Sequence, residues 1–342
     1  MRCDLFPTEG AFYKANLHSH SVISDGRMTP EEMRDFYRAH GYSVLAITDH
    51  EIMRDHTDLS LPDFQIINGY EIYIRDRLDA PRIAKNCHMN LIARTPDVTK
   101  QIAVDPKYLK YIEKNGMTVE DVPRVGELRD RHFCTREINA IIREARENGY
   151  LVAYNHPSWS LETVEDFGKY EGFYAMEVVN YGASKEGFPE NDAWAYDQML
   201  RLGKNIWCLA NDDNHNKFPY GDPRCDSFGG FNMIKAKELS YAAIIEALEQ
   251  GHFYASQGPL IEEMYIEDNH LFVRCSPAVR VALRMVGRTG GRGTVYAPPG
   301  ETITQAEFAL QKADTYFRLE VTDETGKKAF THAYSLEGIV TE

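Results

Sequence analysis

The chain reads as an α/β domain followed by a small all-β domain, and three observations predict this. Over about the first 255 residues, short apolar runs alternate with amphipathic segments, the signature of βα units. After Gly258-Pro259 the texture changes, and alternating β runs replace the helical patterns. The length of 342 residues also suits two domains at roughly 150 residues each. The expected division is 1–257 and 258–342.

Taken in order, the strand-like runs are 15–18, 44–48, 65–72, 88–93, 151–154, 175–179, 206–210 and 231–235. The first helix is the best signalled. Thr29, Pro30 and Glu32 supply an N-cap, a first-turn proline and a capping-box acid. Met33, Phe36, Tyr37 and His40 mark one face, and Gly41 stops it. Segments 135–148 before Gly149 and 238–250 before Gly251 repeat that pattern. Residues 95–132 break the rhythm and read as a partly helical insertion. Further on, 264–275 is a pair of alternating runs around Asp268-Asn269, and 316–334 is a second pair around residues 323–326. The glycine-rich 287–293 segment lacks the Gly-Lys-Ser/Thr of a phosphate-binding loop and reads as a hairpin turn.

Composition narrows the function classes. A chain 43% hydrophobic and 26% charged is neither a disordered tail nor a miniprotein that depends on disulfides. No apolar run reaches ~18 residues, so no membrane span is expected. Residues 1–14 hold no apolar stretch of signal-peptide length. Cys3, Cys87, Cys134, Cys208, Cys225 and Cys275 lie far apart without a CxxC pair, which suits reduced thiols in a cytoplasmic protein. The 38 basic residues against 52 acidic ones give −14, which would repel an extended nucleic acid. A small anionic substrate held through bound cations remains compatible with that charge.

Six of the twelve histidines fall at or near strand ends, together with several acids. They are His18-Ser19-His20 with Asp25, Asp49-His50, Glu71, His88, Asn155-His156, and Asp213-Asn214-His215. In parallel α/β architectures, loops at the carboxyl edge of the sheet converge on one site. Two histidines at i and i+2 on a strand point to one face and can chelate one ion. Asp213 and His215 share that spacing. Imidazole with carboxylate suits Zn²⁺, Mn²⁺ or Fe²⁺ better than Ca²⁺ or Mg²⁺. Alone, His88 or His156 is more often a packed or turn histidine, and Asp25 before Gly26 is a common turn residue. Asp49 can cap a turn while His50 ligates, or the reverse. Five elements converging on one edge are not explained as solvated surface. His40, His56, His132, His252, His270 and His332 have no such placement and read as structural or surface residues.

These motifs, in this order over roughly residues 14–257, resemble the PHP family, named for polymerase and histidinol phosphatase. The 251–259 segment and the β extension after it resemble the predicted metal-dependent phosphoesterases related to carbaryl hydrolases. The resemblance implies a distorted (βα)7 barrel with a trinuclear metal centre. It implies a first ion on His18, His20, Glu71 and Asp213, and a second on Asp25, His50 and His215. A third would lie on Glu71, His88 and His156, with Glu71 bridging. Nucleotide-cleaving relatives carry a large helical insertion, for which 95–132 is too short.

The function expected is therefore hydrolysis of a small phosphate ester by a metal-bridging hydroxide, with three divalent transition ions (Mn, Zn or Fe) as cofactors. Hydrolysis of a carboxyl, carbamate or amide ester by the same centre is the alternative reaction, and a non-catalytic metal- or ligand-binding module the alternative class. Arg27, Lys85, Lys185 and Arg224 are candidate phosphate contacts, and Trp159 and Tyr181 candidate pocket walls.

Overall fold

The computed structural model describes residues 2–339; Met1 and the final three residues of the expected 258–342 segment lie outside them. The chain forms β1 (Cys3–Asp4), β2 (Ala11–Asn16), α1 (Pro30–Ala39), β3 (Val44–Ile47), β4 (Gln65–Arg75) and β5 (Asn86–Ala93). Next come α2 (Thr135–Glu147), β6 (Tyr150–Tyr154), α3 (Val164–Phe167), β7 (Ala175–Asn180), α4 (Tyr181–Lys185), α5 (Ala193–Arg201) and β8 (Trp207–Asn211). After β9 (Phe231–Ala236), α6 (Tyr241–Gln250) and β10 (Phe253–Ser256), the described remainder is β structure with one 3-10 turn. Its strands are β11 (Ile261–Glu267), β12 (His270–Ala278), β13 (Arg280–Met285), β14 (Thr294–Tyr296), β15 (Ile303–Ala309), β16 (Tyr316–Thr322), β17 (Lys328–Phe330) and β18 (Tyr334–Ser335).

Local signals act as expected in α1. The Glu32 amide donates to Thr29 Oγ1 (3.2 Å), the Thr29 amide donates to Glu32 Oε2 (2.8 Å), and Met33 and Tyr37 are buried. Strand β3, Val-Leu-Ala-Ile, is buried at every position, as a parallel strand covered on both faces must be. The β11–β12 hairpin turns through Asp268 and Asn269, both at positive φ. The 95–132 insertion contains only two 3-10 turns, Pro106–Tyr108 and Glu113–Asn115, and packs Val104, Leu109, Ile112 and Val122 on Ile52. Among the described residues no helix is long and apolar enough to cross a membrane.

The fold is mixed α/β, but the described residues do not form a closed (βα)7 barrel. The larger sheet runs β14-β13-β16-β17-β10-β9-β2-β3-β4-β5-β6-β7-β8, with β18 on β16, and has two ends. Helices are fewer than strands require. The 76–85 connection is too short for a crossover, which takes a dozen residues or more, so β5 returns antiparallel to β4. Strand β2 likewise pairs antiparallel with β9. Where β8 meets β9 no ladder forms. Instead, Asn232 Oδ1 accepts from the Ala210 amide (3.0 Å) and Asn232 Nδ2 donates to the Ala210 carbonyl (2.8 Å).

The β-rich segment is tied to the rest by backbone hydrogen bonds. Strand β17 pairs with β10, and β1 pairs with β11 in a second sheet of order β1-β11-β12-β15. Phe6, Tyr254, Leu271, Val281, Phe308 and Leu319 fill one apolar layer between the two sheets.

Candidate metal centre

The site forms where the strands stop. Strand β2 ends at Asn16, so His18 and His20 lie on the following loop rather than on the strand expected over 15–18. Side chains replace the ladder there. The Leu17 amide donates to Asn211 Oδ1 (3.0 Å), the Ser19 amide to Thr48 Oγ1 (3.1 Å), and Asn16 Nδ2 to the His18 carbonyl (3.0 Å). Both rings still converge, with Nε2 atoms 3.2 Å apart. The reversal of β5 carries His88, near that strand's start, to the edge where β4 and β6 finish. Asp213 (φ 52°) and His156 (φ 28°) occupy left-handed backbone conformations that few side-chain-bearing residues adopt.

All nine residues singled out in the sequence come together. Glu71 is central: Oε1 lies 2.9 Å from His88 Nδ1, 3.3 Å from His18 Nε2 and 3.4 Å from His156 Nε2, and Oε2 lies 2.8 Å from His50 Nδ1. Asp213 Oδ1 approaches His20 Nε2 (3.0 Å) and His18 Nε2 (3.2 Å), and Asp25 Oδ1 approaches His215 Nε2 (3.4 Å). The side chains grade from fully buried His18 and His20 to Asp25, 30% exposed, so the cluster is a pit with a wet rim. The donor atoms fall into four overlapping groups: His18-His20-Asp213, His18-Glu71-His156, His50-Glu71-His88 and His20-Asp25-His50-His215.

Two observations fit this set to divalent transition ions. Glu71 Oε2, Asp213 Oδ1 and His50 Nδ1 are buried without a hydrogen-bond partner, although unlike polar atoms lie close by. Buried donors and acceptors are seldom left so, and a cation satisfies them together. The rings are also held from behind. His18 Nδ1 contacts Glu177 Oε1 (2.8 Å), His215 Nδ1 the Asp213 carbonyl (3.0 Å), and His156 Nδ1 Ser160 Oγ (3.2 Å). Protonation at Nδ1 leaves each Nε2 lone pair facing inward. At His88, Asn86 Nδ2 lies 2.6 Å from Nε2 while Asn86 Oδ1 has no partner. Turned over, that amide accepts from Nε2–H and frees Nδ1 toward Glu71.

Electrostatics follow from burial opposed by neighbours. Burial would raise Glu71, but His88, His18 and His50 hold it well below the usual carboxylate range. Burial is likewise outweighed at Asp213 by His18 and His20. Burial lowers imidazoles, yet Glu71 and Asp25 lift His50 to about 9. At His88 burial prevails, and its pKa falls to about 4 despite Glu71. The pit holds anionic carboxylates in the interior, which requires cations beside them.

The sequence reading left two supporting acids unassigned. Glu177 stands in the middle of apolar β7, and its carboxylate accepts from His18 Nδ1, Asn211 Nδ2 (2.9 Å), Asn180 Nδ2 (2.8 Å) and the His156 amide (3.1 Å). In the sequence Glu177 shows only as a lone acid within an apolar run, and its full burial in β7 becomes visible in the structure. Asp49, left open between two roles, accepts from the amides of Ser21 (2.8 Å) and Ser24 (3.0 Å) and from both hydroxyls (2.6 Å), so it braces the 17–25 loop while His50 joins the pit.

A cavity of about 420 Å³ opens onto the pit, with Trp159, Lys185 and Arg224 among its walls. Arg27 and Tyr181 do not line it, and Lys85 is engaged by Asp166 (2.7 Å). A larger cleft of about 550 Å³ near the starts of β6, β7 and β8 contains none of the nine residues. Size therefore does not locate the chemistry.

No family model and no curated protein matches the chain. Solved structures similar to it include a two-domain protein containing a predicted PHP-like metal-dependent phosphoesterase from Bacteroides vulgatus, at 17% identity over 96% of this chain and 98% of that one (TM-score 0.42). Another is a putative metal-dependent phosphoesterase from Bifidobacterium adolescentis, at 16% identity over 63% and 91% (TM-score 0.38). A third is an amidohydrolase from Chromobacterium violaceum, solved with bound sulfate and no metal, at 15% identity over 62% and 93% (TM-score 0.36). Likeness at this level carries no argument about chemistry, which rests on the side chains described above.

Proposed function

We propose that the protein is a metal-dependent hydrolase of the PHP type, a phosphoesterase that cleaves a small anionic phosphate ester with three divalent transition ions. The observation that carries this reading is Glu71, one buried carboxylate whose two oxygens serve two ligand groups, with Oε2 left unpaired. His18, His20, Glu71 and Asp213 would hold one ion, Asp25, His50 and His215 a second, and Glu71, His88 and His156 a third. Manganese, zinc or iron suits this donor set. Bound there, the ions supply an acidified water and neutralise charge on the phosphoryl oxygens.

The chain's own groups do the rest. Glu177 fixes His18 and the His156 backbone, and Asp49 keeps the 17–25 loop in register. The mouth carries Arg75, Lys110, Lys185, Lys217 and Arg224, which attract an anion despite a chain charge of −14. That rim favours a phosphate ester over a neutral carboxyl ester or carbamate. A cavity of this size admits a small molecule rather than an extended nucleic acid.

The test is a panel of phosphate, carboxyl and carbamate esters, assayed with Mn²⁺ or Zn²⁺ restored, beside elemental analysis of the purified protein. Two to three transition ions per chain and turnover of phosphate esters are expected. Turnover of only carboxyl or carbamate esters overturns the phosphoesterase reading, and absence of metal after growth in supplemented medium overturns the centre itself.

A further inference from the structure

Four of the five cations at the cavity mouth have no carboxylate within ion-pair distance among the described residues: Arg75, Lys110, Lys185 and Lys217. Only Arg224 is paired, with Asp222 (2.8 Å). An exposed lysine is ordinarily a solvated charge, and Lys185 and Lys217 need no more explanation than that. Arg75 is half-buried, and Lys110, although exposed like the other lysines, shares an aromatic neighbour with it. Arg75 Cζ and Lys110 Nζ each lie 5.4 Å from the centroid of one ring, Tyr73. That ring stacks on His88 at 5.0 Å and meets His50 edge-on at 5.7 Å. The two cations therefore stand one aromatic ring away from the candidate metal ligands.

The pair is also built in. The Arg75 amide donates to the Tyr108 hydroxyl (3.2 Å), which fastens the end of β4 to the insertion that carries Lys110. Arg75 Nε is buried without a hydrogen-bond partner. The Lys110 ammonium is held below its usual range by burial and by Arg75, against the opposing pull of Asp25 and Glu51. Two like charges beside one ring, one with an unpaired N–H, are unfavourable until an anion joins them. Arginine offers a planar fork and lysine a point charge, a combination suited to a carboxylate or phosphate.

We infer that Arg75 and Lys110 form a second anion subsite, and that the substrate is a small phosphate ester bearing a further carboxylate or phosphate across the span of the Tyr73 ring. This rests on the phosphoesterase reading for the group that is cleaved, while the subsite itself rests only on the geometry of Arg75, Lys110 and Tyr73.

The experiment compares propane-1,3-diol bisphosphate with propyl phosphate on the metal-loaded protein. It also titrates the hydrolysis-resistant propane-1,3-bisphosphonate and propylphosphonate by calorimetry. The doubly charged member of each pair should be preferred by about tenfold or more, in kcat/KM and in Kd. In the Arg75→Gln/Lys110→Met double variant both ratios should fall toward one. Lys204→Gln with Lys237→Gln makes the same charge change near the opposite strand ends and should leave both ratios as they were. Equal ratios in the wild type, or ratios that survive the double variant, overturn the subsite. Equal loss in the Lys204/Lys237 control also overturns it, because the preference would then be a field effect of net charge. If no phosphate ester turns over yet the bisphosphonate binds through Arg75 and Lys110, the phosphoesterase reading falls and the subsite stands.

Discussion

Glu71, on β4, and Glu162, on the connection between β6 and α3, are the same residue type and both buried, yet their surroundings give them opposite characters. Glu162 lies in a closed knot under α3. Tyr154 Oη donates to Oε2 (2.7 Å) and Tyr170 Oη donates to Oε1, so neither oxygen is left over. Burial dominates there and pushes its carboxyl up to about 7. Glu71 sits among four imidazoles with one oxygen unpaired, and stays anionic. Depth in the fold is therefore no guide to chemical role. What separates the two acids is whether the neighbouring groups complete the hydrogen bonding or leave it open for a cation.

The sharpest way to break that contrast is to make one substitution at both acids. Glu71→Gln should lose metal from two groups and lower turnover by orders of magnitude, because an amide has neither the charge nor the second anionic oxygen. His156→Ala should lose mainly one ion. Glu162→Gln should keep the full metal complement and wild-type kcat. Metal stoichiometry and kcat measured on the three variants decide it, and a fully loaded, active Glu71→Gln would make Glu71 an ordinary buried acid.

A smaller effect is expected one layer behind the ligands. Glu177→Gln keeps shape and burial but replaces one acceptor of its four bonds with a donor. Metal affinity should fall roughly 10–100-fold. Competition with a chelator reads this directly, and unchanged affinity would reduce Glu177 to packing.

Proton competition separates the two regions again. Ligating imidazoles must be neutral, so metal affinity should fall as pH drops through ~6.5. At His50, held up at about 9, competition begins above neutrality. Affinity that stays flat down to pH ~5 would contradict a site built mostly from histidine.

The smallest effect concerns stability at the knot. Glu162 faces Tyr154, Tyr170, Cys87, Asp166 and Lys85. Its folded pKa of about 7 lies above the ordinary glutamate value of 4.5, so its contribution is complete below pH ~4.5 and is lost as pH rises through 7. Relative to Glu162→Gln, the wild type should lose of order 3 kcal/mol between those limits, read from denaturant midpoints at each pH. A constant difference would mean the carboxyl is ionised throughout.

The pit was legible in the sequence because its candidate ligands are histidines and acids mostly at or near the ends of apolar runs, where neither is needed for packing. His18, His20, Asp213 and His215 advertise themselves by spacing. Glu177 does not, because a lone glutamate in an apolar strand gives no sign of what it faces. The path of the sheet was less legible. Alternation of strand and helix cannot distinguish a closed barrel from a sheet in which a ten-residue connection turns β5 back on β4. Nor does composition show that Asn232 would take the place of a ladder beside β8. Those outcomes depend on pairings between residues far apart in the chain.

The positive φ angles of His156 and Asp213 set fitness against robustness. Glycine would relieve backbone strain on the order of 1 kcal/mol at each position, before the lost side-chain contacts are counted, while deleting two candidate ligands. A population of variants screened for heat resistance alone should therefore drift toward glycine at 156 and 213 and go catalytically silent. Screening for turnover as well should keep both side chains in place at the expense of melting temperature.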